Sequence, residues 1–158
     1  MKAHNLLKLI FSVVVCEFAG MLGAVFTAPS VSGWYAQLVQ PSFVVPNWLF
    51  GVVWPILYLL MGIAAFIVWN QRKTCKHVKL ALGIFGVQLI LNSLWSIIFF
   101  GMHNPGAALV EIVMLWFSIL ATIIAFYRVS KHTLWLLLPY ILWVSFAVYL
   151  NYSIYILN

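Results

Sequence analysis

The chain has 158 residues, of which 66% are hydrophobic and 6% charged, and its formal net charge is +6. A water-soluble domain carries about a quarter charged residues. With a mean hydropathy of +1.11, this chain has too little polar surface to cover a globule in water, which excludes a soluble domain.

Lipid is therefore the expected solvent, and each segment that crosses it must satisfy its own backbone hydrogen bonds, as a helix or within a closed barrel. Barrel strands alternate apolar and polar residues over about ten positions. Here the apolar runs continue for more than about twenty residues, long enough at about 1.5 Å rise per residue to cross a hydrocarbon core of about 30 Å. The pattern predicts an all-α membrane protein, a bundle of five transmembrane helices in one domain, 1–158.

The first span is expected over 6–28. It is too long for the apolar core of a signal peptide, and the small residues near Thr27-Ala28 are followed at once by Pro29, so it reads as a retained helix. On it, Glu17, Gly20, Ala24 and Thr27 form a stripe, and the pairs Ala19/Gly23 and Gly20/Ala24 permit close packing. Glu17 has no Lys or Arg at its depth in any span and is expected to be uncharged; a proton-relay or ion site is the competing reading.

The segment 29–46, PSVSGWYAQLVQPSFVVP, has no charge, three prolines and three aromatics, Trp34, Tyr35 and Phe43. Disordered segments lack such apolar and aromatic residues, and long loops without regular structure are usually functional. The composition suits a lid over the outer end of the bundle, or else an interfacial aromatic belt.

The second span, 47–70, carries Gly51, Trp54, Tyr58 and Met61 along one stripe, with Pro55 loosening the backbone beside Trp54. The third, 80–101, aligns Gln88, Asn92, Trp95 and Phe99, and the fourth, 105–127, aligns Glu111, Leu115, Ser118 and Thr122. The fifth, 133–157, carries Pro139, Tyr140, Trp143, Ala147, Leu150 and Asn151. These polar and aromatic faces fit interhelical hydrogen bonding. They fit equally a cavity for a flat, mostly apolar ligand. Spacing alone does not separate the two readings.

All eight basic residues, Lys2, Lys8, Arg72, Lys73, Lys76, Lys79, Arg128 and Lys131, fall on the N-terminal side of a five-span topology. That asymmetry predicts a cytoplasmic N-terminus, with the first loop and the C-terminus outside, and accounts for the basic charge without nucleic acid. Cys16 and Cys75 suggest no disulfide. No His, Cys or carboxylate set has metal-ligand spacing, so no metal is expected, and no phosphate loop or nucleotide fingerprint is present.

The residues resemble the TspO/translocator protein family, the tryptophan-rich sensory proteins or peripheral benzodiazepine receptors. The resemblance lies in Trp34-Tyr35, Pro41-Ser42-Phe43, Pro46-x-Trp48, Trp54 and Leu57-Tyr58, in Gln88-Leu89, Leu91-Asn92, Trp95 and Phe99-Phe100-Gly101, and in Pro139-Tyr140, Trp143, Phe146-Ala147 and Leu150-Asn151. It implies a five-helix bundle, often a homodimer, in a bacterial or archaeal cytoplasmic membrane, with a pocket under the first loop. It further implies porphyrin or haem as ligand, no obligatory cofactor, and a sensory or regulatory role. Transport of porphyrin or another apolar molecule is the alternative, and a non-catalytic interaction subunit the second alternative.

Carried over by position, the resemblance assigns Ala24, Phe50, Gly51, Trp54, Asn92, Trp95, Ala107, Trp143, Ala147 and Leu150 to the pocket; Trp34, Phe43, Trp48, Tyr58 and Tyr140 complete the expected ligand-binding set. Some bacterial members degrade protoporphyrin IX in light and oxygen, and Trp54 and Trp143 match the tryptophans implicated, which makes them the candidate catalytic residues. The chain departs from the family pattern at Gln40, usually basic, at Phe43, usually tryptophan, and at Ala107, often tryptophan. No Lys or Arg follows Tyr152, so the cholesterol-type motif is absent from this segment.

Overall fold

The computed structural model describes residues 3–43, 46–72 and 75–158, apart from the side chain of Asn47. Lys2 and Lys73, two of the basic residues that set the expected orientation, lie outside the described residues, as do Val44 and Val45 of the first loop.

Apolar runs with no hydrogen-bonding competitor fold as helices: α1 (Ala3–Ser32), the short α2 (Trp34–Gln37), α3 (Asn47–Asn70), α4 (Val78–Ser96), α5 (Pro105–Tyr127) and α6 (Thr133–Leu157). A π-helical turn, Ile97–Gly101, follows α4 directly. All but α2 are long and apolar enough to cross a membrane, counting the π turn with α4. The bounds of α3, α5 and α6 are those expected from the sequence. At the start of α5, Asn104 Oδ1 accepts from the Ala107 amide at 3.0 Å while Pro105 occupies the first turn, where no amide donor is needed.

The first loop differs from expectation. Pro29 does not end α1, which runs on to Ser32. A proline inside a helix removes one backbone hydrogen bond, and here tertiary contacts hold the last turn in place. Ser30 Oγ donates to the Phe100 carbonyl at 2.8 Å. Just beyond, the buried Tyr35 packs its ring on Phe99 and Phe100 at 6.2 and 5.8 Å. The segment 29–46 is therefore mostly helical as far as Gln37. Its remainder is fastened to the end of α6, where the Val39 amide donates to Asn158 Oδ1 at 2.9 Å and Asn158 Nδ2 donates back to the Val39 carbonyl at 3.2 Å.

The five long helices close into a ring, α1 against α3, α3 against α6, α6 against α5, α5 against α4, and α4 back against α1. Small residues bring α1 close to its neighbours. A Cβ at Gly62 would stand 2.7 Å from Val13 Cα, and one at Gly23 would stand 2.9 Å from Ser96 Oγ. Ser93 Oγ also donates to the Ala19 carbonyl at 2.9 Å. Close backbone approach and interhelical hydrogen bonds are the forces available where lipid removes the hydrophobic drive between helices.

Candidate functional site

A cavity of about 390 Å³ lies between α1, α3 and the end of α4. From α1 it is lined by Glu17, Gly20, Met21, Ala24, Thr27, Ala28 and Val31, and from α3 by Phe50, Gly51, Trp54, Pro55 and Tyr58. Trp95, Ser96 and Phe100 close it from α4 and the π turn. Met21, Ala24, Ala28, Gly51 and Pro55 are exposed, so the cavity opens sideways between α1 and α3, toward the flank that faces lipid in a membrane.

Gly20 sets the depth of the floor. Because it has no side chain, the Tyr58 ring packs directly against α1, where a Cβ would come within 2.3 Å of it. Tyr58 stacks on Trp54 with centroids 5.7 Å apart and 28° between planes, so the two rings form one aromatic wall. Behind that wall, a polar network fixes the rings. Tyr58 Oη donates to Asn92 Oδ1, Asn92 Nδ2 donates to Tyr140 Oη at 2.9 Å, and Gln88 Nε2 donates to the same tyrosine oxygen. Gln88, Asn92 and Tyr140 are at most 2% exposed, and a buried network with its partners in place holds its members in a single arrangement.

The opposite wall is set by the π turn. Met102 N donates to the Ile97 carbonyl at 2.9 Å, an i to i+5 bond that inserts one residue into the helical repeat. An uninterrupted α-helix would leave Phe99 on the stripe of Gln88, Asn92 and Trp95. The extra residue brings Phe100 to the cavity, while Phe99 stacks on Trp95 at 5.3 Å and meets Trp34 in a T-shaped contact at 5.7 Å. Trp95 itself is anchored by Nε1 donating to Asn151 Oδ1 at 3.0 Å, and Asn151 Nδ2 reaches the Pro105 carbonyl at 2.8 Å.

Of the residues expected at the site, Ala24, Phe50, Gly51, Trp54, Tyr58 and Trp95 line the cavity. Asn92 and Tyr140 stand one layer behind it, as the hydrogen-bond partners just described. Trp143 does not line it; it packs edge-on against Phe50 at 5.7 Å and against Phe146 at 5.7 Å. Ala147 and Leu150 are buried on α6 away from the lining, and Ala107 is exposed at the start of α5. In the first loop, Trp34 stacks on His103 at 4.4 Å, and Phe43 reaches Phe146 at 5.9 Å. Trp48, at the start of α3, is exposed. None of these last three lines the cavity.

The α1 stripe Glu17, Gly20, Ala24 and Thr27 does line it as a set, although only Ala24 was among the expected site residues. Ser96, four residues after Asn92 on α4, could have been found by the same helical spacing, whereas the approach of Phe100 to the cavity follows the π turn. Among the lining residues there is no Lys, Arg or His. The walls are aromatic and aliphatic, with polar atoms only from Glu17, Thr27, Trp54, Tyr58, Trp95 and Ser96 among the side chains.

Residues 12–157 match the TspO/MBR family. The chain is 47% identical over 155 residues to "Tryptophan-rich protein TspO" of Archaeoglobus fulgidus, covering 98% of this chain and 99% of the relative. It is 40% identical over 145 residues to "Protein CrtK" of Rhodobacter capsulatus, covering 92% and 89%. To "Translocator protein" of Homo sapiens it is 40% identical over 123 residues, covering 77% and 73%. Five helices long and apolar enough to cross lipid, a family match over residues 12–157 and relatives 40–47% identical make the chain an integral membrane protein, and it belongs to the TspO/MBR family.

Proposed function

We propose that the cavity between α1, α3 and α4 binds a planar tetrapyrrole, and that the protein serves a sensory or regulatory role by doing so. One observation carries the reading: a cavity of about 390 Å³ with Trp54 and Tyr58 stacked as one wall and Trp95 and Phe100 on another. That volume lies in the range of small-molecule pockets, about 300–1,000 Å³, and such pockets combine apolar walls with few polar groups. The lining suits a free-base porphyrin better than haem, because no histidine reaches it as an axial ligand. Since no Lys or Arg lines it, acidic substituents on the macrocycle belong at the mouth, in contact with headgroups and water.

In this reading Trp54 touches the macrocycle and Trp143 acts through Phe50. Light-driven oxidative breakdown of the porphyrin by oxygen is a separate claim that rests on these two indoles. The homodimer implied by the resemblance, and a cytoplasmic N-terminus dictated by the basic residues, complete the proposal. The side opening between α1 and α3 supports transport as a second reading, since a ligand arriving from lipid has a direct entrance.

Purified protein titrated with protoporphyrin IX in micelles loses tryptophan fluorescence saturably, and Trp54→Phe weakens binding. Illuminated in air, wild-type protein bleaches the porphyrin and the Trp54→Phe, Trp143→Phe double variant does not. Linear, unsaturable quenching removes the binding site. Unchanged bleaching in the double variant removes only the photochemistry.

A further inference from the structure

A second cavity lies at the other end of the bundle, where α4 begins and α5 ends. It has about 240 Å³ and is walled by Ala81 and Ile84 of α4 and Ala121 and Ala125 of α5, with His77 and Arg128 at its rim. Both rim residues are exposed, and among the described residues their side chains have no hydrogen-bond or ion-pair partner. Arg72, Lys76, Lys79 and Lys131 stand at the same end of the bundle, by the connectivity of the five long helices.

The chain has only two acidic side chains, Glu17 and Glu111. Glu111 of α5 precedes Arg128, at the end of that helix, by a stretch that spans about 25 Å at the helical rise, and Glu17 lines the first cavity. No acid of this chain therefore neutralises the basic rim, and a counter-charge must come from outside. Below the rim the walls are apolar and open to the flank, and the volume falls short of the range for compact small-molecule ligands. A cationic rim above an apolar slot of that size matches an amphiphile with an anionic head and a thin tail.

We propose that this groove holds one anionic phospholipid from the adjoining leaflet, with its phosphate at Arg128 and His77 and part of an acyl chain between α4 and α5. Basic pockets between transmembrane helices are a recurrent headgroup site. The alanines make the slot here, because larger side chains at Ala121 and Ala125 would close it.

The test uses full-length protein equilibrated in mixed phosphatidylglycerol and phosphatidylcholine bilayers, released into the gas phase, and weighed with its retained lipid. Wild-type protein retains phosphatidylglycerol in preference to phosphatidylcholine. Arg128→Gln lowers that preference by roughly fivefold or more, the factor one basic residue contributes near an anionic surface. Ala121→Phe, which fills the slot and leaves every charge in place, lowers it as well; Ala121 is exposed, so the bundle tolerates the change, and circular dichroism checks that it does. Lys131→Gln, at the same end and outside the lining, leaves the preference in place. Full retention by Ala121→Phe overturns the proposal, since charge alone would then explain it. So does equal retention of phosphatidylcholine by wild-type protein, or displacement of the lipid by millimolar inorganic phosphate, which would mark a free-anion site.

Discussion

Replacing Gly20 by alanine should destabilise the protein, although alanine is the better helix former. The Cβ would lie 2.3 Å from Tyr58 Cε2, 2.5 Å from Cδ2 and 2.9 Å from Cζ, distances at which something must move. Tyr58 is 6% exposed, and its hydroxyl is committed to Asn92. If the ring swings away, Asn92 Oδ1 is left buried and unpaired, at a cost of about 1–3 kcal/mol. Forcing an extra carbon into a packed site costs about 1–3 kcal/mol more. Against this, the glycine-to-alanine change in a helix contributes about 1 kcal/mol of stabilisation. The net expectation is a loss of about 1–5 kcal/mol. Gly51 supplies the control: it also sits in a helix and lines the same cavity, but nothing stands within 4 Å of where its Cβ would go. Gly51→Ala should be neutral or stabilising by up to about 1 kcal/mol. Thermal unfolding in micelles, followed by circular dichroism, reads both. A Gly20→Ala protein that melts at or above the wild-type midpoint would refute the packing of Tyr58 on α1.

Two further substitutions probe the interior. Tyr140→Phe removes the oxygen that accepts from both Gln88 and Asn92, leaving two buried donors unpaired, and should cost about 2–6 kcal/mol; an unchanged unfolding midpoint would mean that the network does not hold the bundle together. Glu111 is 2% exposed, and among the described residues neither of its carboxylate oxygens has a hydrogen-bond partner. Glu111→Met, similar in shape and free of that polar burden, should stabilise by about 1–3 kcal/mol in the same assay. A loss of stability instead would reveal that the carboxyl holds a bound partner.

The spans were legible because lipid imposes one rule on every residue of a crossing segment, so α3, α5 and α6 could be bounded from apolar runs alone. The end of α1 was not. Pro29 is a local stop signal, and what overrides it, the bond from Ser30 to the Phe100 carbonyl, links residues seventy positions apart. The α1 stripe Glu17, Gly20, Ala24 and Thr27 was readable at helical spacing and lines the cavity as a set. On α4 the same reading placed Phe99 on the inward stripe, and Phe99 is indeed buried and stacked on Trp95; the π turn adds Phe100 to the cavity lining, which the stripe did not include. Trp54 and Trp95 were identifiable as inward rings. The position of Trp143 behind Phe50 depends on how α6 packs on α3, which no one-dimensional pattern records.

The proposed function requires a flat ligand to sit in the hollow beside Gly51. Gly51 and Gly83 both have empty space around them, yet only Gly51 borders the cavity. Protoporphyrin IX titrations of Gly51→Leu and Gly83→Leu, read by tryptophan quenching, therefore compare the same change inside and outside it. Saturable binding should be lost in Gly51→Leu and kept in Gly83→Leu. Undiminished binding by a folded Gly51→Leu protein would contradict the proposed function.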